Sequence, residues 1–156
     1  MELYFVQHAE AKREEEDPAR PLSEKGWKSL EKGSSFLIRL DVKVARILHS
    51  GKLRARQTAE KLGEVVDSLE VVKEIDGLKP LDNPNIWGDR LREEIGNIML
   101  VGHLPHLSKL VGLLISGGPD QKVVDFKNGG VVCLVRDDEE GGNWSVLWVI
   151  IPQILG

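Results

Sequence analysis

After Met1 and Glu2 the chain reads Leu3-Tyr4-Phe5-Val6-Gln7-His8-Ala9-Glu10-Ala11. The four apolar residues at its start are typical of a parallel β-strand that is covered on both faces. Gln7 and His8 follow where this strand should end. Ligands of parallel α/β sheets collect beyond the carboxyl ends of the strands. We therefore expect His8 to face a binding crevice.

Further apolar segments rich in β-forming residues recur along the chain, with helical patterns between them. They span residues 45–50, 69–72, 98–102, 131–135 and 145–151. This alternation predicts an α/β fold with three layers, in which helices cover both faces of a mostly parallel sheet. A polar loop from Asp137 to Asn143, containing Gly141 and Gly142, separates the last two segments. Such a loop predicts a hairpin and hence an antiparallel edge strand.

Four helices are predicted between these strands. The clearest begins near the N-cap Ser23 and ends before Asp41. Its apolar spacing predicts one packed side, formed by Trp27, Leu30, Ser34, Leu37 and Ile38. A second helix is predicted at about residues 53–67, a third at 86–94, and a fourth begins near Pro105, which suits a first helical turn.

The composition indicates an ordinary globular protein. The chain has 156 residues, of which 41% are hydrophobic and 29% charged. That length and the absence of an obvious linker predict a single domain over residues 1–156. Cys133 lies in an apolar run, so we expect it to be a buried thiol without chemistry.

Charge and hydropathy narrow the possible partners. The net charge of −4 disfavours non-specific binding to nucleic acid, which needs a clustered basic face. The amino terminus has no signal-peptide pattern, and the strongest apolar run, residues 146–151, is too short to span a bilayer. We therefore expect a cytoplasmic protein that contacts neither nucleic acid nor membrane. No pattern indicates its oligomeric state.

Polar residues at three predicted strand ends could carry chemistry. His8 follows the first strand, Arg54 and Arg56 follow the second, and His103 follows the fourth. A neutral imidazole is a competent nucleophile toward phosphorus. A second, protonated histidine would stabilise charge on the phosphoryl oxygens, and the free N–H groups of the helix at Pro105 favour a bound phosphate.

Arg54 and Arg56 cannot serve this crevice together. Residues two apart on a helix lie about 200° apart around its axis. One of the two arginines at most can therefore face the site.

Four motifs resemble those of the histidine phosphatase superfamily, in the same order. Residues 3–11 resemble its strand followed by Arg-His-Gly, and residues 20–26 its Arg-Pro-Leu-Thr-x-x-Gly segment. Residues 50–59 are similar to Ser-Pro-Leu-x-Arg-Ala-x-Gln-Thr-Ala, and residues 101–105 to the late histidine motif. The chain most resembles the compact SixA-type phosphohistidine phosphatase branch. The resemblance implies the phosphoglycerate mutase-like fold.

The resemblance also implies roles for individual residues. His8 would receive the phosphoryl group, Arg54 would clamp it, and His103 would bind its oxygens. Arg20 would be a further phosphate or substrate contact. Arg56 and Lys52 would then be surface charges.

The chain departs from the family motif beside the nucleophile. Gln7 stands where the motif has arginine, and Ala9 where it has glycine. Gln7 can donate a hydrogen bond to phosphate or substrate but carries no charge. An acidic proton donor does not align clearly, and Asp82 is the candidate. A phosphorylated imidazole tolerates a missing donor better than a phosphate ester, because its nitrogen can be protonated near neutral pH.

The sequence leaves three functions open. The expected one is a phosphohistidine phosphatase, a hydrolase without cofactor or metal that acts on phosphorylated protein histidine. The alternatives are a phosphomonoesterase acting on small phosphate esters through the same His8 intermediate, and a degenerate relative that binds phosphate with little turnover because of Gln7.

A metal site is disfavoured. His103 and His106 are three apart and His49 lies near the second strand end, but zinc needs three or four well-placed ligands. With a single, buried cysteine and His106 on an early helical turn, the set is thin. We expect His49 to be structural and His106 to lie on the helix surface or the pocket rim.

Overall fold

A computed structural model describes residues 1–139 and 142–156. The elements follow one another as β1 (Glu2–Gln7), α1 (Glu24–Arg39), β2 (Lys43–Val44), β3 (Arg46–His49), α2 (Leu53–Gly63), β4 (Asp67–Ser68), β5 (Lys73–Glu74), α3 (Asn85–Glu93), β6 (Ile98–Gly102), α4 (His106–Ser116), β7 (Val131–Asp137), β8 (Asn143–Ile150) and a 3₁₀ helix (Pro152–Ile154). None of the helices described is long and apolar enough to cross a bilayer.

The main sheet has the order β5-β3-β6-β1-β7-β8. Strands β5, β3, β6 and β1 are parallel to one another. Strand β7 runs antiparallel to both β1 and β8. The mostly parallel sheet and the predicted antiparallel hairpin at its edge are confirmed. Gly142 lies in the loop of this hairpin, whereas Gly141 is outside the described residues.

The core consists of two apolar clusters on opposite faces of the sheet. Residues of β1 alternate between them, because side chains of a strand point to opposite faces in turn. Tyr4 and Val6 join a cluster with α1 and α2. Leu3 and Phe5 join a cluster with α3 and α4. The predicted three layers are therefore confirmed.

Three local predictions were wrong. Residues 69–72 form no strand, and Leu69 and Val71 are 86% and 81% exposed. This segment connects β4, which pairs with β2, to β5, which pairs with β3. Because the segment crosses from one sheet to the other, it does not pair with a neighbouring strand, although its residues favour β structure. The helix predicted to reach residue 67 ends at Gly63, because β4 already begins at Asp67.

The packed side of α1 also differs from the prediction. Trp27 and Ile38 are exposed. Its buried residues are Gly26, Leu30, Gly33, Ser34 and Leu37. At about 100° per residue these five positions share one arc of the helix, and Trp27 and Ile38 lie beyond its edge.

The start of α1 is fastened to the loop that follows β1. Ser23 caps the helix, its hydroxyl accepting from the backbone N–H of Gly26 at 3.0 Å. The backbone N–H of Ser23 donates to the carbonyl of Glu10 at 2.9 Å. A Cβ on Gly26 would lie 2.0 Å from that same carbonyl oxygen. Only glycine fits there, so α1 holds the loop next to His8 in place.

Candidate active site

His8 lies just beyond β1 at the carboxyl edge of the parallel strands. Its backbone N–H donates to the carbonyl of Gly102 on β6 at 3.0 Å. Its carbonyl accepts from Gly129 N–H at 3.2 Å and from the Asn128 side chain at 3.1 Å. The backbone of His8 is therefore fixed from both neighbouring sides.

The ring of His8 is held in one orientation by a backbone carbonyl. Its Nδ1 lies 2.7 Å from the carbonyl oxygen of Ala9. Because a carbonyl oxygen only accepts, Nδ1 carries the proton and Nε2 keeps its lone pair. Burial lowers the pKa of His8 to about 4, assisted by the charges of Arg54 and Arg20 and opposed by the Ala9 hydrogen bond. His8 is thus neutral at pH 7.

His103 follows β6 and faces His8. The two ring centroids are 5.0 Å apart. Nε2 of His103 lies 2.6 Å from the hydroxyl oxygen of Ser50, which also accepts from the backbone N–H of Lys52 at 3.3 Å. Nδ1 of His103 is buried and has no hydrogen-bond partner among the described residues. It is the ring nitrogen left to meet a ligand.

The charge state of His103 differs from the expectation. Burial, assisted by the charges of His8, Arg54, Lys52 and His106, lowers its pKa to about 3. The protein groups alone therefore keep His103 neutral at pH 7, although we expected an imidazolium. The negative charge of a phosphoryl group is what would favour the protonated ring.

Arg54 lies in the first turn of α2 and is half-buried. Its Nε is buried without a partner among the described residues. Burial lowers its pKa, and so does the charge of Arg20, which therefore lies nearby. Arg56, by contrast, is exposed and pairs with Glu60 at 3.7 Å. The two arginines face different surroundings, as the helix geometry predicted.

Thr58 connects α2 to the loop that carries His8. Its hydroxyl donates to the carbonyl of Arg54 at 2.8 Å and accepts from the backbone N–H of Ala9 at 3.0 Å. The Thr58 side chain thus links the turn that bears Arg54 to the backbone beside His8.

Arg20 and Gln7 also border the site. Arg20 has a left-handed backbone, with φ of 49°, and its Nε donates to the carbonyl of Lys12 at 3.0 Å. Gln7 ends β1 opposite Gly102. Its Oε1 is buried with no partner in the described part of the chain. Because buried polar atoms are usually hydrogen-bonded, this oxygen is the atom of Gln7 left to accept a hydrogen bond from a ligand.

Asp82 and His106 lie together in a neighbouring region. The charge of Asp82 acts on His106 and raises its pKa, whereas burial lowers it more strongly, to about 4. Oδ2 of Asp82 accepts from the backbone N–H of Lys79 at 2.9 Å. Nothing places Asp82 in contact with His8, and its role as a proton donor stays a prediction.

The predicted surface position of His106 is wrong. This residue is fully buried, and neither ring nitrogen has a partner among the described residues. It begins α4, whose buried residues are His106, Leu107, Leu110, Val111 and Gly112. The first turn of α4 directs His106 into the core with these apolar neighbours.

Three contacts were not anticipated from the sequence. Ser50 belongs to the third motif, and its position after a strand end was the available signal. Lys52 is half-buried rather than a plain surface charge, since it acts on His103. Asn128 holds His8 from a distant loop, and no local pattern marks it. No cluster of three or more metal-ligating side chains occurs within residues 1–139 and 142–156.

Comparisons with known proteins agree with this architecture. The chain is 26% identical over 157 residues to the phosphohistidine phosphatase SixA of Escherichia coli K12. The alignment covers 97% of this chain and 94% of SixA. A structure of the protein histidine phosphatase SixA with tungstate matches with a TM-score of 0.85, 24% identity and full coverage of both chains. No family profile matches.

A more distant match comes from a phosphatase with another substrate. A phosphoserine phosphatase variant of Entamoeba histolytica, in complex with phosphoserine, has a TM-score of 0.73 and 14% identity. That match covers 97% of this chain and 98% of the other and concerns the fold alone.

The fold is the phosphoglycerate mutase-like α/β fold, with two facing histidines at the carboxyl edge of its parallel strands. In sequence the chain is a homologue of the phosphohistidine phosphatase SixA of Escherichia coli, at 26% identity. The resemblance that the four sequence motifs indicated is therefore confirmed.

Proposed function

We propose that the chain is a phosphohistidine phosphatase that works through a phosphohistidine intermediate on His8. The observation that carries this proposal is the neutral His8 ring, whose Nδ1 is held by the Ala9 carbonyl. The unprotonated Nε2 is thereby available to attack phosphorus. The ring of His103 lies close by, with 5.0 Å between the two ring centroids.

In the first step, Nε2 of His8 attacks phosphorus and a new N–P bond forms. The bond between phosphorus and the imidazole nitrogen of the substrate breaks, and that nitrogen takes a proton from water. In the second step, water attacks the phosphorus on His8, the N–P bond breaks, and inorganic phosphate leaves while the proton lost by the water passes to solvent. His8 returns to its neutral form, ready for another cycle.

The remaining side chains would bind the oxygens of the phosphoryl group. Arg54 carries the charge, and its unpaired Nε adds a donor. His103 gains a proton when the anion arrives, and its Nδ1 becomes a charged donor while Ser50 holds Nε2. Such preoriented donors are the main source of catalysis in phosphoryl transfer. Every role is filled by protein groups, so we propose a metal-independent reaction.

The proposed substrate is phosphorylated protein histidine, and two observations favour it. The homologous SixA of Escherichia coli is a phosphohistidine phosphatase. Asp82, the candidate acid, has no described contact with His8, and a phosphoimidazole leaving group needs such an acid least.

The test is to incubate the protein with a phosphohistidine peptide and with the matching phosphoserine peptide. We expect phosphate release from the first and an acid-labile phosphoenzyme that is absent in His8→Ala. Arg56→Ala, exposed and paired with Glu60, is the control and should keep the label. Faster release from phosphoserine would favour the phosphomonoesterase. Phosphate binding without turnover would favour the degenerate relative.

A further inference from the structure

A hollow of about 360 Å³ adjoins the candidate active site, and it is lined by Glu14, Pro18, Ala19, Arg20, Lys52, Leu53 and Arg54. We call it the basic hollow. The positive charges of this hollow affect the pKa values of His8 and His103. The charges of Arg54 and Arg20 lower the pKa of His8, and that of Lys52 lowers the pKa of His103. The basic hollow and the phosphoryl site are therefore neighbours.

The three cations of the basic hollow are unpaired. In the described part of the chain, 13 of its 21 lysines and arginines lie within 4.0 Å of a carboxylate. Arg20, Lys52 and Arg54 do not. The chain has more carboxylates than cations, 25 against 21. A cluster of free cations in such a chain is suited to an anionic ligand.

One phosphoryl group is too small to use all of these charges. His8, His103 and Arg54 already surround it in the proposed function. Arg20 and Lys52 extend the positive surface from there into the basic hollow. Lys52 stands where the motif similar to residues 50–59 has leucine, so this chain adds a charge at that position.

We propose that the basic hollow binds a second anionic group of the substrate, a carboxylate or a phosphate, carried beside the phosphoryl group that His8 receives. This proposal rests on the proposed function for the position of the phosphoryl group. Lys52 is the residue that sets the preference, because it is half-buried and held by its backbone contact with Ser50.

The carboxylate of Glu14 should oppose the binding of a second anionic group in the basic hollow. Its carboxylate lines the same hollow and has no ion-pair partner within 4.0 Å in the ranges described. Because like charges repel, Glu14 should weaken the binding of a second anion. Its replacement by a neutral residue should therefore strengthen the same binding that Lys52 supports.

Binding of non-hydrolysable phosphonates tests the proposal without turnover. Propylphosphonate carries one anionic group, whereas 3-phosphonopropionate and propane-1,3-diphosphonate carry a second one on a chain of similar length. Calorimetry at low salt should show that the two-anion probe that fits the hollow binds about tenfold more tightly than propylphosphonate. Ten-fold corresponds to about 1.4 kcal/mol, and the advantage should shrink as salt rises.

Variants then assign the effect to the basic hollow. In Lys52→Met the ratio of two-anion to one-anion affinity should fall to about twofold. In Glu14→Gln the advantage should rise. Lys109→Met removes an equally unpaired charge on the exposed surface of α4 and should change neither affinity.

The outcomes separate the two proposals. A higher affinity for 3-phosphonopropionate, for propane-1,3-diphosphonate or for both, relative to propylphosphonate, supports a second-anion site. The probe that binds more tightly shows whether the site prefers a carboxylate or a phosphate. Equal affinities for one-anion and two-anion probes, or an advantage that survives in Lys52→Met, would overturn it. Tight two-anion binding without turnover of a phosphohistidine peptide would instead contradict the proposed function and leave the hollow's assignment intact.

Discussion

Replacement of His106 by leucine should make the protein more stable and less sensitive to acid. The imidazole is fully buried, and both ring nitrogens lack partners among the described residues. A buried polar group without a hydrogen bond costs about 1–3 kcal/mol, whereas an apolar group of similar shape avoids that cost. We therefore expect His106→Leu to be about 1 kcal/mol more stable than the native chain at pH 7.

The pH dependence provides a sharper test of the same residue. The pKa of His106 falls from 6.5 to about 4 on folding, because burial outweighs the opposing charge of Asp82. Because the folded-state pKa of His106 lies below the unfolded-state value, the free energy of unfolding is highest above about pH 6.5. It decreases as the pH falls toward about 4. By linkage the native chain loses about 2 kcal/mol between pH 7 and pH 5 through His106.

The assay is urea denaturation followed by tryptophan fluorescence at pH 7 and pH 5. The stability gap between His106→Leu and the native chain should widen from about 1 to about 3 kcal/mol. His8 and His103 titrate in both proteins, so most of their acid sensitivity cancels; the charge of His106 is only the last of the influences on His103. His106→Gln is the matched control, since it stays polar but does not titrate. A gap that is the same at both pH values would refute the neutral, buried assignment of His106.

Three further predictions concern the reaction itself. Arg54→Ala should lower turnover at least about a hundredfold, because removing one preoriented donor costs 10²-fold to 10³-fold in rate, while Arg56→Ala should change it little; equal losses would show that the helix phase is wrong. Gln7→Arg should raise kcat about tenfold, since a guanidinium binds phosphoryl oxygens more strongly than an amide, and steady-state kinetics beside Gln7→Ala would show an unchanged or lower rate if Gln7 is adapted to something else. Activity should persist in excess chelator, and its loss with restoration by zinc or magnesium would contradict the metal-independent mechanism.

The parallel part of the fold could be predicted because its strands are continuous apolar runs. Residues 3–6 and 98–102 are buried on both faces, and no surface pattern competes with that signal. The hairpin of β7 and β8 was equally clear from its polar loop. By contrast, residues 69–72 carry the same apolar signal, and only the tertiary path between two sheets shows that they form no ladder.

The site was predictable in outline for a related reason. His8 and His103 follow apolar strands, so topology alone brings them to one edge. Their protonation depends on burial and on charges from other elements, which local sequence does not specify. The inward direction of His106 likewise depends on how α4 packs. Asn128 reaches His8 across 120 residues of chain, a distance at which sequence patterns carry no information.

The contact between Gly26 and the Glu10 carbonyl has a consequence for laboratory evolution of this protein. Any side chain at position 26 would displace the Glu10 carbonyl and so the loop that follows His8. A saturation library there should return glycine almost alone, even under selection for a new substrate. Libraries meant to change specificity are better directed to the rim of the basic hollow, where Glu14 and Lys52 can vary without displacing the backbone.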